Sequence, residues 1–90
     1  MRLKDKVAII TGAGRGIGAV TAKKFAAEGA KVTVSDINEE AVKKTAAEIV
    51  DMGGEALGLT VDVTNRQQVD NMIAETLKRF GKIDILINNE

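Results

Sequence analysis

Four glycines at alternate positions, Gly12, Gly14, Gly16 and Gly18, follow the apolar run Val7-Ala8-Ile9-Ile10-Thr11 and precede an alanine-rich stretch. A glycine-rich turn between a strand and a helix lets backbone N–H groups reach a phosphate, because no Cβ stands in the way. The helix N-terminus adds about half a positive charge at the same point. Further polar residues end the later apolar runs. Asp36 lies 24 residues after Gly12, followed by Ile37; Asp62-Val63 and Asn88-Asn89 close two more. A carboxylate at Asp36 could accept hydrogen bonds from both hydroxyls of an adenosine ribose and would repel a 2′-phosphate. The alternative reading of Asp36 is a solvated loop acid or a capping residue. The chemistry these residues suggest is the binding of an adenine dinucleotide, NAD or NADP, with Asp36 favouring NAD.

The remaining positions have two readings each. Arg15 could pair with a 2′-phosphate or be an exposed surface cation. Asp62 could accept from an adenine amino group while Val63 packs on the ring, or serve as a turn residue ahead of Thr64. Asn88 and Asn89 could hold neighbouring strand ends together, which would itself shape the site. Ile17, inside the turn, and Ile37, beside Asp36, belong to the same candidate site. The spacing also narrows the motif. From Gly12, G-x-G-x-x-G/A needs a small residue at position 17, where Ile17 stands; Gly14–Ala19 satisfies it but starts two residues late. Thr11, Gly12, Gly16 and Gly18 fit T-G-x-x-x-G-x-G. No Gly-Lys-Ser/Thr follows, which excludes a triphosphate P-loop.

Absences constrain the chemistry as strongly. The 90 residues include no Tyr, His or Cys, and Ser35 is the sole serine. The common nucleophiles and acid/base groups are therefore almost all missing, and no catalytic or metal-binding residue is assigned. Thirteen basic residues balance thirteen acidic ones, which argues against nucleic acid or an anionic membrane as the main partner. No apolar run approaches the roughly 18 residues of a membrane span. The charged start Met1–Lys6 lacks the apolar stretch of a signal peptide. The absence of cysteine suits a reducing compartment, so a cytoplasmic location is expected.

The elements that must position these residues alternate regularly. Residues 7–11 read as a strand apolar on both faces, as in the centre of a parallel sheet. A helix follows to about Glu28, with Ile17, Thr21, Ala22, Phe25 and Ala26 as its inward stripe. Gly18 and Ala22 allow close approach to the strand, and Gly29 stops the helix. Lys31–Ser35 is a second strand. Asn38 caps a second helix with Glu39 and Glu40 in its first turn and Ala41, Val42, Thr45, Ile49 and Met52 inward. Residues 55–61 form a third strand. Thr64 and Gln67 make a capping box for a third helix to Phe80, with Val69, Met72, Ile73, Thr76, Leu77 and Phe80 inward. Ile83–Ile87 is a fourth strand. Right-handed crossovers make the sheet parallel. The fold expected is α/β: a Rossmann-like, doubly wound parallel sheet, a βαβαβαβ half-domain with strand order 3-2-1-4. The glycine turn, Asp36, Asp62 and Asn88-Asn89 then share its carboxyl edge. Ninety residues make one domain at most, which buries only about 60% of its unfolded surface.

With these residues in place, the whole chain resembles the N-terminal half of a short-chain dehydrogenase/reductase. The likeness rests on Leu3–Gly12, Gly16-Ile17-Gly18, Phe25–Val32, Asp62-Val63 and Gly81–Asn89. It is strongest to the 3-oxoacyl-acyl-carrier-protein reductases, with acetoacetyl-CoA reductases and small-alcohol dehydrogenases close behind. The resemblance implies NAD(P)-dependent hydride transfer to a ketone, or from an alcohol, in a complete enzyme. It also implies a small-molecule or acyl-carrier-protein thioester substrate and a homo-oligomer. The family continues Asn-Asn-Ala-Gly, whereas Glu90 stands in place of the alanine. Its catalytic serine and Tyr-x-x-x-Lys pair have no counterpart among these residues, so residues 1–90 read as a truncated cofactor-binding half-domain. Two other readings stand beside it. Gly12–Gly16 also matches the G-x-G-x-G loop of an S-adenosylmethionine-dependent methyltransferase fragment. Alternatively, the chain is a non-catalytic half-domain that self-associates through an open Ile83–Ile87 edge.

Overall fold

The computed structural model describes residues 2–89. Seven elements alternate: β1 (Val7–Thr11), α1 (Gly16–Ala27), β2 (Lys31–Asp36), α2 (Glu39–Asp51), β3 (Glu55–Thr60), α3 (Arg66–Phe80) and β4 (Ile85–Asn88). All strand pairs are parallel, in the order β3-β2-β1-β4. This is the Rossmann-like, doubly wound arrangement that the alternation of strand and helix predicts. The sheet order reverses between β1 and β4, so a crevice opens at their carboxyl ends.

The two faces of the sheet follow from the period-2 alternation of side chains. Ala8 and Ile10 of β1 and Val32 and Val34 of β2 meet Ala22 and Ala26 of α1 and Val42 and Ile49 of α2. Ile9 points the other way and packs with Val61 and Met72 under α3. Thr33, on that same face, shares a buried hydrogen bond with Thr76 (Oγ1 to Oγ1, 2.8 Å). Thr76 also lies 2.8 Å from the Met72 carbonyl, one turn back along the helix. Thr76→Val is expected to destabilise the chain by about 1–3 kcal/mol, because it leaves the Thr33 hydroxyl buried without its partner. The double replacement Thr33→Val, Thr76→Val should recover most of that loss, and urea midpoints for the single and double variants measure the difference.

Local signals set the helix ends. Asn38 accepts from the Ala41 N–H at 2.9 Å, as a cap should. Gly29, Gly53 and Gly81 carry positive φ at the stops. The α3 cap differs from expectation: Asn65, not Thr64, accepts from the Gln68 N–H (3.1 Å). Thr64 is drawn away because its hydroxyl donates to Asp62 Oδ1 at 2.6 Å. The fourth strand begins at Ile85 rather than Ile83, because Asp84 anchors its entry. Val7 N–H donates to Asp84 Oδ2 (2.9 Å), and Asp84 N–H donates to the Val7 carbonyl (2.8 Å).

The inward stripes also shift. Ile17 is 77% exposed, and Gly18, Ala19, Ala22 and Ala26 are the buried face of α1. The close seat of Gly18 on the Gly12 carbonyl fixes the rotation of the helix and swings Ile17 outward. Met52 is exposed beyond the end of α2, and Ile73 and Leu77 of α3 are also exposed. Ile73 borders a hollow with Leu86 and Thr11.

Asp84 has its carboxyl held below the ordinary carboxylate range, first by the Val7 N–H and then by Lys82, 3.1 Å away. A carboxylate whose folded pKa is depressed contributes stability above its unfolded pKa and loses it as pH falls through the folded value. Stability should therefore decline from about pH 4 downward. Asp84→Asn should flatten part of that decline in unfolding midpoints followed against pH.

Candidate functional site

A cleft of about 450 Å³ opens along the carboxyl edge of the sheet, lined by Gly12, Arg15, Asp36, Ile37, Val61, Asp62, Val63, Thr64 and Asn89. All four strand ends contribute to it. This is the geometric result of parallel strands: every strand delivers its last residue to the same edge.

The turn after β1 is built by close packing as much as by open backbone. Gly12 has φ +61°, and a Cβ there would overlap the Asn89 carbonyl. A Cβ on Gly18 would overlap the Gly12 carbonyl, and one on Gly14 would sit 2.7 Å from Ala41 Cβ and 2.8 Å from Asp36 Oδ2. Only at Gly16, φ +64°, would a Cβ meet nothing within 4 Å. Gly18 thus gives the close helix–strand approach expected of it, and open space of the kind a phosphate needs lies at Gly16 alone of the four. Gly12 and Gly18 allow close backbone approach, Gly14 fits against the side chains of Ala41 and Asp36, and Gly16 faces open space at the start of α1. The first turn of α1 holds no acidic residue, and its N-cap Arg15 makes no side-chain cap. The free N–H groups of that turn and the positive end of the helix dipole face the same way. That donor set and the bare Gly16 fit an anionic group such as a pyrophosphate.

Asp36 is half-buried, and both its oxygens accept backbone N–H groups. Gly14 N–H donates to Oδ2 (3.0 Å) and Asn38 N–H to Oδ1 (3.1 Å). Each oxygen keeps lone-pair capacity toward the cleft. Ile37 beside it is 66% exposed, an apolar side chain on the cleft wall. Asp62 Oδ1 accepts from Thr64 N–H (2.9 Å) and from the Thr64 hydroxyl. These bonds hold its carboxyl below the ordinary range, the hydroxyl bond most strongly.

Asn88 and Asn89 tie strand ends. The Thr11 hydroxyl donates to Asn88 Oδ1 (2.9 Å) and accepts from Asn89 N–H (3.0 Å). Asn89 Nδ2 lies 3.4 Å from the Gly12 carbonyl. Asn89 lines the cleft, whereas Asn88 faces a small hollow with Thr11, Val63, Met72 and Leu86. Gly14, Gly16 and Ile17 line a separate groove between α1 and α2, which Arg15 also borders. The structure thus brings Gly12, Arg15, Asp36, Ile37, Asp62, Val63 and Asn89 together and sets the other predicted residues around them. Sequence reasoning missed Val61 and Thr64, which line the cleft, and Thr45, which touches the turn from behind. The cap position next to Asp62 was the only available signal for Thr64. No group of three His, Cys, Asp or Glu suited to a metal occurs among the described residues. No helix among them is long and apolar enough to cross a membrane.

A parallel sheet with a glycine turn, an acid ending its second strand and a cleft at its switch point defines the dinucleotide-binding class of Rossmann-like proteins. The family model for short chain dehydrogenases matches residues 6–90, and the chain belongs to that family. It is 49% identical over 89 residues to a sorbitol dehydrogenase of Cereibacter sphaeroides, covering 99% of this chain and 34% of that protein. Its fold matches the crystal structure of a hydroxysteroid dehydrogenase from Escherichia coli with a TM-score of 0.96 and 45% identity, over 98% of this chain and 37% of that one. A short chain dehydrogenase/reductase from Burkholderia phymatum, solved in complex with NAD, matches with a TM-score of 0.92 and 37% identity, over 96% of this chain and 31% of its own. The chain thus spans about a third of the length of the relatives it matches. The family match displaces the methyltransferase reading.

Proposed function

We propose that residues 1–90 form the cofactor-binding part of an NAD-dependent oxidoreductase that interconverts an alcohol and a ketone. The observation that carries this reading is Asp36. Its carboxylate is held on the cleft wall by two backbone N–H groups, next to a helix N-terminus free of acid. Asp36 would accept the ribose hydroxyls, the first turn of α1 from Gly16 would hold the pyrophosphate, and Asp62, Val63 and Ile37 would border the adenine. A bound nicotinamide dinucleotide supplies hydride chemistry. This chain's residues bind and orient it, and the fixed negative charge of Asp36 disfavours a 2′-phosphate. With no Tyr, His or Cys in the sequence, the 90-residue chain alone should turn over no substrate. The likeness to 3-oxoacyl-acyl-carrier-protein reductases makes a 3-oxoacyl thioester the first substrate class to assay with the complete protein. Polyols and hydroxysteroids follow, after the names of its relatives. The absence of cysteine fits a cytoplasmic setting.

Calorimetric titration of the chain with NAD, NADP and S-adenosylmethionine tests the reading. NAD should bind most tightly. No heat from either dinucleotide at about 1 mM, the level of roughly −4 kcal/mol of binding, would overturn it.

The open side of β4 bears on assembly. Leu86 is 61% exposed, and Ile73 and Leu77 lie exposed on α3. An unpaired, apolar strand edge templates further pairing. The isolated chain is expected to self-associate with rising concentration, and Leu86→Lys should suppress this in sedimentation profiles. A monomer at every concentration would count against a role for that edge.

A further inference from the structure

The turn that carries Gly14 is gripped from two sides. Gly14 N–H donates to Asp36 Oδ2 at 3.0 Å. On the other side, the hydroxyl of Thr45 donates to the Gly14 carbonyl at 3.1 Å. Thr45 is 1% exposed and sits on the inner face of α2 among apolar neighbours. Its hydroxyl serves the carbonyl of a buried residue, and losing it leaves that carbonyl without this protein partner. Gly14 has no room to adjust, since even a Cβ would press on Ala41 and on Asp36 itself. The Gly14 residue therefore transmits position: what holds its carbonyl also sets where its N–H meets the Asp36 carboxylate.

We infer that Thr45 is a positioning residue for cofactor choice, acting through Gly14 on Asp36. This inference rests on the dinucleotide reading above and extends it to a residue outside the cleft. With the Thr45 hydroxyl in place, Asp36 Oδ2 is pinned toward the turn, and its charge stands fixed where a 2′-phosphate would come. Without it the 14–15 peptide plane, which carries the Gly14 carbonyl, can turn about the Gly14 Cα; the adjoining 13–14 plane, which carries the N–H, shifts with it, the N–H···Oδ2 bond loosens, and the carboxylate gains freedom to turn aside. Affinity for NAD then falls more than affinity for NADP.

The test uses Thr45→Val, nearly the same shape without the donor, and Thr45→Ser, which restores the hydroxyl. Two readouts are taken on the 90-residue chain: hydrogen exchange of the Gly14 amide without ligand, and calorimetric affinities for NAD and NADP. The expected result is exchange faster by about tenfold in Thr45→Val and a NAD-to-NADP affinity ratio lower by about fivefold, the scale of one hydrogen bond. Thr45→Ser should return both to the parent values. If Thr45→Val fails to fold, Thr45→Ala carries the same comparison. Unchanged Gly14 exchange overturns the proposal. So does an equal loss of affinity for both dinucleotides, which is what a merely structural role produces. If the parent chain binds neither dinucleotide, the cofactor reading fails first. That outcome is distinguishable, because the exchange experiment needs no ligand.

Discussion

Gly18→Ala is expected to abolish measurable dinucleotide binding and to destabilise the chain by about 3 kcal/mol, the upper range for forcing a methyl into packed backbone. The new Cβ would overlap the Gly12 carbonyl and sit 2.7 Å from Asn89 Nδ2. Neither neighbour can yield cheaply. Gly12 is itself pressed against Asn89, and Asn89 is tied by its backbone N–H to the Thr11 hydroxyl. The substitution would therefore push α1 off the end of β1 and move its N-terminus away from the cleft. Gly16→Ala is the instructive partner. A Cβ there meets open space, so its cost is the strain of φ +64°, roughly 1–2 kcal/mol. Its effect should fall on binding, where the methyl would occupy the approach of an anion. Urea unfolding with NAD titration separates the two. Gly18→Ala should shift both strongly, and Gly16→Ala should shift binding more than stability. Equal stability losses would refute this division of labour among the glycines.

The second large effect is expected at Asp36. Asp36→Asn keeps an oxygen acceptor for the Gly14 or Asn38 N–H but removes the charge. Affinity for NAD should fall by about tenfold and affinity for NADP should rise, each tenfold step being about 1.4 kcal/mol. Asp36→Ala goes further. It strands the N–H of Gly14, a buried residue, at a cost of about 1–3 kcal/mol in stability. Calorimetry with both dinucleotides, beside unfolding midpoints, reads both effects. If Asp36→Asn weakens NAD and NADP alike, the carboxylate does not choose between them and the NAD assignment falls. Arg15 adds a second handle. It lines the cleft and makes no cap, so its guanidinium is available to a phosphate once the opposing carboxylate is neutral.

Much of this architecture is written locally. The apolar runs, the caps and the glycine stops each act over a few residues. For that reason Asn38, Gly29, Gly53 and Gly81 were readable, and so was the order of strands and helices. Parallel connection follows from alternation with right-handed crossovers, and once strands are parallel, Asp36, Asp62 and Asn89 must share one edge. The candidate cleft was therefore legible in outline from the spacing of polar residues at strand ends.

What the tertiary structure alone decided depends on contacts between residues far apart in sequence. The rotation of α1, which buries Gly18 and exposes Ile17, comes from one helix seating on the carbonyl of a strand end. The bond between Thr11 and Asn88 spans 77 positions, and that between Thr45 and Gly14 spans 31. Thr33 and Thr76 read as one strand residue and one helix residue until they face each other across the sheet. A periodic pattern specifies that a helix has an apolar side, but a few tens of degrees of rotation move a residue from core to solvent at little local cost. Only the closest backbone approach, here glycine against carbonyl, selects the rotation. By itself, then, the sequence determined which elements form and which polar residues reach the carboxyl edge. The packed structure decided what Gly12 and Gly14 are pressed against, which threonines are partners and how the Asp36 carboxylate is held, because each of these is a contact between segments that meet only on folding.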